Sequence, residues 1–82
     1  MVTPESFDIY RTSDTATAAY LCISNFELLR IDEGNNNHQA IFVFKAVDGI
    51  EQAAKSFEIG IAICNVSAFF RQYKKLLREV KQ

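Results

Sequence analysis

Residues 40–44 read Ala-Ile-Phe-Val-Phe, five apolar side chains in consecutive positions. Successive side chains of a strand point to opposite faces, so a run with no polar position asks for cover on both sides. Only a strand with neighbours on each edge meets that demand. Residues 38–46 (HQAIFVFKA) are therefore read as the central strand of the sheet this chain builds. The rest of the sequence has to supply the neighbours, and it has little length for the task. A chain of 82 residues buries only about 60–65% of the surface its unfolded form exposes, so its core must be dense, and a partner or second copy can add stability.

Two further strands are legible. Residues 6–11 (SFDIYR) alternate, with Phe7 and Ile9 on one side and Asp8 and Tyr10 on the other. Residues 26–32 (FELLRID) follow, and EGNNN, residues 33–37, forms a turn-rich hairpin loop into the central strand. Between the first two strands, Ala16, Ala19, Tyr20 and Ile23 share one helical face. Thr12 or Ser13 suits the N-cap, Asp14 suits the first turn at the positive end of the dipole, and Asn25 can take the left-handed conformation that ends the helix. Asp48-Gly49-Ile50-Glu51 resembles a capping box with Asp48 as the cap, opening a short helix that carries Ile50, Ala53, Ala54 and Phe57. Gly60 breaks it. IGIAIC, residues 59–64, is an apolar linker and a candidate for burial, after which Asn65 caps a last helix. There Val66, Phe69, Phe70, Tyr73, Leu76, Leu77 and Val80 fall on one stripe.

The order is β-α-β-β-α-α in a single small α+β domain, residues 1–82, with 1–5 as a flexible N-terminus. A right-handed β-α-β unit makes the first two strands parallel. The third slots between them, antiparallel to both. The result is a three-stranded, mostly antiparallel sheet with the helices on one face. The other face is left open or buried against another copy.

Charge is distributed unevenly. Residues 1–65 hold nine acids and four bases, a net of −5, whereas residues 66–82 hold Arg71, Lys74, Lys75, Arg78 and Lys81 against Glu79 alone, a net of +4. These bases lie opposite the apolar stripe of the last helix. Such a face can grip phosphates or an acidic partner. It also suits plain solvation and the negative end of the helix dipole, and the acidic balance of the whole chain favours that second reading.

Little else has the pattern of chemistry. Thr12, Ser13 and Asp14 resemble a nucleophile with an acidic neighbour, but a hydrolase also needs a base. His38, the single histidine, stands beside the Asn-rich loop and reads as a surface residue. Cys22 and Cys64 form no CxxC pair, so they read as small reduced hydrophobes. No metal set, nucleotide-binding glycine loop or bound cofactor is expected. The N-terminus has no signal-peptide pattern and no run approaches the ~20 apolar residues of a membrane span, so a cytoplasmic setting is expected.

Tyr10-Arg11-Thr12-Ser13-Asp14 is followed by Ala18-Ala19-Tyr20-Leu21, then by the strand around Phe26 and by Ile41-Phe42-Val43-Phe44. Phe57 with Gly60 and an aromatic–basic helix holding Phe69 and Lys74 come last. Through these elements, over about residues 7–80, the chain resembles a family of small bacterial and phage-borne proteins catalogued only as a domain of unknown function. Asn25 stands where the family usually has Gly, and Ile59 and Ile61 replace more polar neighbours of Gly60. The resemblance implies no activity; it implies a phage or mobile-element setting.

Ile59, Ile61 and Ile63, together with the open sheet face, exceed what so small a core needs, and a symmetric dimer would bury the excess. The sequence thus points to a non-catalytic binding protein acting through protein–protein contacts, as a homodimer and, in the implied setting, on a host protein. The alternative is a nucleic-acid binder using Arg71, Lys74, Lys75 and Arg78.

Overall fold

The computed structural model describes residues 8–33 and 40–80. The expected flexible N-terminus, residues 34–37 of the loop, His38 and Lys81 lie outside the described residues. The elements run β1 (Ile9–Thr12), α1 (Thr15–Ile23), β2 (Leu28–Glu33), β3 (Ala40–Lys45), α2 (Ile50–Glu58) and α3 (Val66–Val80). The sheet order is β1-β3-β2, and β3 pairs antiparallel with both neighbours. The apolar run is the central strand, and the fold is the α+β arrangement its order implies.

Register decides which side chains meet the helices. Tyr10 stands opposite Phe44 and Thr12 opposite Phe42 on one edge of β3, while Leu28 opposes Phe44 and Ile31 opposes Phe42 on the other. That face meets Ala18, Ala19, Tyr20 and Leu21 of α1, Ile50 and Ala54 of α2 and Leu76 of α3 in one core cluster. The alanines of α1 let its backbone come close to its neighbours, and the aromatic rings fill the remaining space. Tyr20 stacks on Phe57 at 5.1 Å, Phe57 meets Phe69 at 5.6 Å, and Phe69 stacks on Tyr73 at 5.9 Å, a chain that ties α1, α2 and α3 together.

The outer sheet face carries Val43, placed between Arg11 of β1 and Arg30 of β2. Val43 is 0% exposed although it lies outside the helix-side cluster. Long side chains at those two positions can lay their apolar stems over a short one while their charged heads reach water. The second face of the central strand is therefore closed at its middle within one chain. A bulge between Leu28 and Arg30 shifts the β2 register there.

Helix ends differ from the expected caps in two places. The N-cap position of α1 is Asp14, not Thr12 or Ser13. Thr12 Oγ1 instead accepts the Asp14 N–H at 3.2 Å, and the buried Thr17 hydroxyl donates to Asp14 Oδ2 at 2.6 Å, so the carboxylate is engaged by a side chain rather than by an orphan amide. The N-cap of α2 is Gly49 at φ 93°, not Asp48. A left-handed residue at that point displaces the proposed box by one position. At α3 the Asn65 Oδ1 accepts the Ala68 N–H at 2.8 Å, the usual geometry of an Asn cap.

Candidate functional site

α1 and α2 end in the same way. Asn25 (φ 73°) and Gly60 (φ 86°) are left-handed. Phe26 N–H donates to Leu21 O and Asn25 N–H to Cys22 O; Ile61 N–H donates to Ser56 O and Gly60 N–H to Phe57 O. Both are Schellman motifs, in which the residue after the left-handed one usually makes an apolar contact back to the last turn. At α1 that contact is available, since Phe26 and Leu21 are both apolar and both in the core. At α2 the corresponding pair is Ile61 and Ser56, and the Ser56 hydroxyl donates to Ala53 O at 2.8 Å. The position paired with Ile61 is thus polar, not apolar.

The consequence runs through the linker. Ala62 and Cys64 pack against the core, while Ile61 and Ile63 stand out at 67% and 93% exposed. The alternation of an extended segment is kept, but its small residues point in and its large ones out. The expected buried linker is thus only partly buried, and only at its small positions. Ile59 is also exposed at the end of α2.

The apolar surface continues onto α3. Its stripe is not uniformly buried: Phe69 and Tyr73 pack against the core and Leu76 is fully buried, but Val66 and Phe70 are 64% and 53% exposed. Phe70 keeps an edge-to-face contact with Phe69 at 6.0 Å. Val66, Phe70, Lys74 and Arg78 follow one another at i, i+4 spacing and share a row. Ile59, Ile61, Ile63, Val66 and Phe70 thus form a run of exposed apolar residues, a ridge in chain order, whose α3 row leads on to Lys74 and Arg78. The apolar surplus of the sequence points to Ile59, Ile61 and Ile63, whereas helical periodicity places Val66 and Phe70 in the core and so misses them.

Arg71, Lys74, Lys75 and Arg78 are all exposed, and among the described residues no acid lies within ion-pair distance of them. Lys75 and Glu79 lie on the side of α3 toward α1: burial raises the Cys22 thiol pKa, the Glu79 charge adds to the rise and Lys75 opposes it. Before the ridge in the chain, α2 exposes Glu51, Lys55 and Glu58, a net of −1. Glu58, directly before Ile59, is exposed. It and Glu51 both raise the pKa of the Tyr10 hydroxyl, after the larger effect of burial, which sets these carboxylates on the β1 side of α2.

Arg11, Thr12, Ser13, Asp32, Glu33 and Ile41 line a shallow open hollow of about 490 Å³. Asp32 is held by Arg30 Nε at 2.9 Å. Among these lining residues there is no histidine, cysteine or lysine to activate Ser13. Among the described residues no three His, Cys, Asp or Glu side chains gather in a group able to hold a metal ion, and no helix is long and apolar enough to cross a membrane. Cys22 and Cys64 are free and half-buried.

A family model described as a domain of unknown function, DUF5659, matches residues 8–81. No curated protein and no solved structure matches the chain.

Proposed function

From the premise that the chain belongs to the DUF5659 family, a domain of unknown function, we propose that it is a non-catalytic protein-binding domain whose contact surface is the ridge of Ile59, Ile61, Ile63, Val66 and Phe70. One observation carries the reading: along the linker Ala62 and Cys64 are turned in while Ile61 and Ile63 are turned out. Fully burying an Ile side chain is worth about 1.5–3 kcal/mol relative to leaving it exposed, so this inversion forgoes stabilisation at consecutive large positions. With side chains of roughly 150–200 Å² each, the exposed fractions amount to about 600 Å² of apolar surface, the top of the range for a monomer's largest patch and often a functional one. The partners this proposal includes are a second copy of the chain and, in a phage or mobile-element setting, a host protein.

The exposed row of Arg71, Lys74, Lys75 and Arg78 supports a second reading, contact with nucleic acid. One comparison separates the two. The intact chain, an Ile61→Asp/Ile63→Asp variant and a Lys74→Glu/Lys75→Glu variant are tested for protein capture and for binding of labelled DNA and RNA across a salt series. Protein capture that is lost with the aspartates and kept with the glutamates supports the ridge. Nucleic-acid binding that falls steeply with salt and disappears with the glutamates, with no effect of the aspartates, would refute it.

A further inference from the structure

We infer that the occupant of the ridge is a second copy of this chain, docked about a two-fold axis; the inference rests on the protein-binding reading above. Along the chain, the exposed Glu51, Lys55 and Glu58 of α2, a net of −1, precede the exposed Ile59, Ile61, Ile63, Val66 and Phe70, and Lys74 and Arg78 continue the α3 row after them. Among the described residues neither set of charges has an ion-pair partner.

A two-fold axis through the apolar middle brings each copy's acidic end onto the other's basic end. The same contact then forms twice, as an isologous interface requires. The opposite charges also fix the register of a surface that apolar contact alone leaves free to slide. A partner of uniform charge would satisfy one end and be repelled at the other. Size agrees as well. Two ridges of about 600 Å² bury about 1,200 Å² together, the lower end of specific protein–protein interfaces.

The test uses the full chain and its mass in solution by sedimentation velocity from about 1 to 200 µM, the range in which a standard interface at the low end of size associates. Wild type is expected to shift from monomer to dimer across the series. Ile61→Asp/Ile63→Asp, at positions where the side chains already face water, is expected to remain monomeric with an unchanged melting curve. Glu51→Lys/Glu58→Lys and Lys74→Glu/Arg78→Glu are each expected to weaken the dimer at least about tenfold, because each reversal acts at both symmetric contacts. An equimolar mixture of these two variants is expected to regain the wild-type dimer, since every reversed acid then faces a reversed base.

If the mixture does not regain it, the two-fold arrangement is wrong. If wild type stays monomeric at 200 µM while the aspartates still abolish capture of another protein, self-association falls and the protein-binding reading survives. If wild type dimerises and the aspartates leave the dimer intact, the ridge is not its interface and the inference is overturned.

Discussion

Truncating two side chains of the same helical stripe separates what periodicity shows from what packing decides. Leu76 and Phe70 both belong to the apolar stripe of α3, yet Leu76 is 1% exposed and Phe70 53%. Leu76→Ala removes buried methyl groups and leaves a cavity among α1, the sheet and α3, at a cost of about 3 kcal/mol. A chain of this length has roughly 4–12 kcal/mol of total stability, so that loss is a large share of it. It lowers the melting temperature by about 15 °C. Phe70→Ala removes a larger side chain but one already half in water. Its main loss is the edge-to-face contact with Phe69, about 1 kcal/mol. The assay is urea unfolding followed by far-UV circular dichroism at low micromolar concentration, where a weak dimer adds nothing. Leu76→Ala should shift the midpoint strongly with an unchanged slope. Equal losses for the two variants, or a larger loss at Phe70, would show that α3 is rotated from the orientation described and that its exposed row is core.

Two further outcomes are expected. Asn65→Ala removes the acceptor of the Ala68 amide and should cost about 1 kcal/mol in the same unfolding assay, with Asn65→Asp restoring most of it; no loss in the alanine variant means the cap is not stabilising. Stability should also decline in alkali. Burial, with Glu79 adding and Lys75 opposing, pushes the Cys22 thiol above its ordinary 9.0, and burial with Glu58 and Glu51 pushes the Tyr10 hydroxyl above 10.0. An acid whose folded pKa is raised keeps its full contribution below the unfolded value. It loses that contribution as pH rises through the folded one. The urea midpoint should be free of these two effects near neutrality and fall above about pH 9, the ordinary thiol value. Cys22→Ala should flatten the first part of that fall, and an identical alkaline profile in this variant would refute the assignment.

How much of this was legible beforehand depends on whether the signal was a period or a phase. The consecutive apolar positions 41–44 required a covered strand, and β3 is the central one. Helix and strand types followed from spacing, and the left-handed Asn25 from its place after an apolar run. The caps of α1 and α2 were misplaced by one or two residues, because Thr12, Ser13 and Asp14 are all competent acceptors and only the incoming strand decides which one sits at the turn. Val43 could not be read either. Its cross-strand neighbours on that face, Arg11 and Arg30, are distant in sequence and brought alongside by the register of both edges. The ridge was half visible: the isoleucines stood out as surplus, but Val66 and Phe70 read as core.

That last error has a physical cause that also explains the ridge. A helical stripe seven residues strong is wider than the contact one neighbouring helix can offer, so one flank of it must be left over. α3 is turned so that Phe69 and Tyr73 join the ring stack reaching Phe57 and Tyr20 and Leu76 enters the core. That choice places Val66 and Phe70 on the free flank. The linker has an independent reason to turn the same way. With Gly60 left-handed and Ser56, rather than an apolar residue, at the position paired with Ile61, Ile61 stays outside, and the linker side chains that pack against the core are Ala62 and Cys64. Two separate packing decisions thus deliver large apolar groups to one surface. Each would be cheaper to avoid with a polar residue, since exposed positions tolerate polar substitution at little cost. Isoleucine at 61 and 63 and phenylalanine at 70 bring the monomer little packing there, and the proposed partner is where their apolar area would become useful.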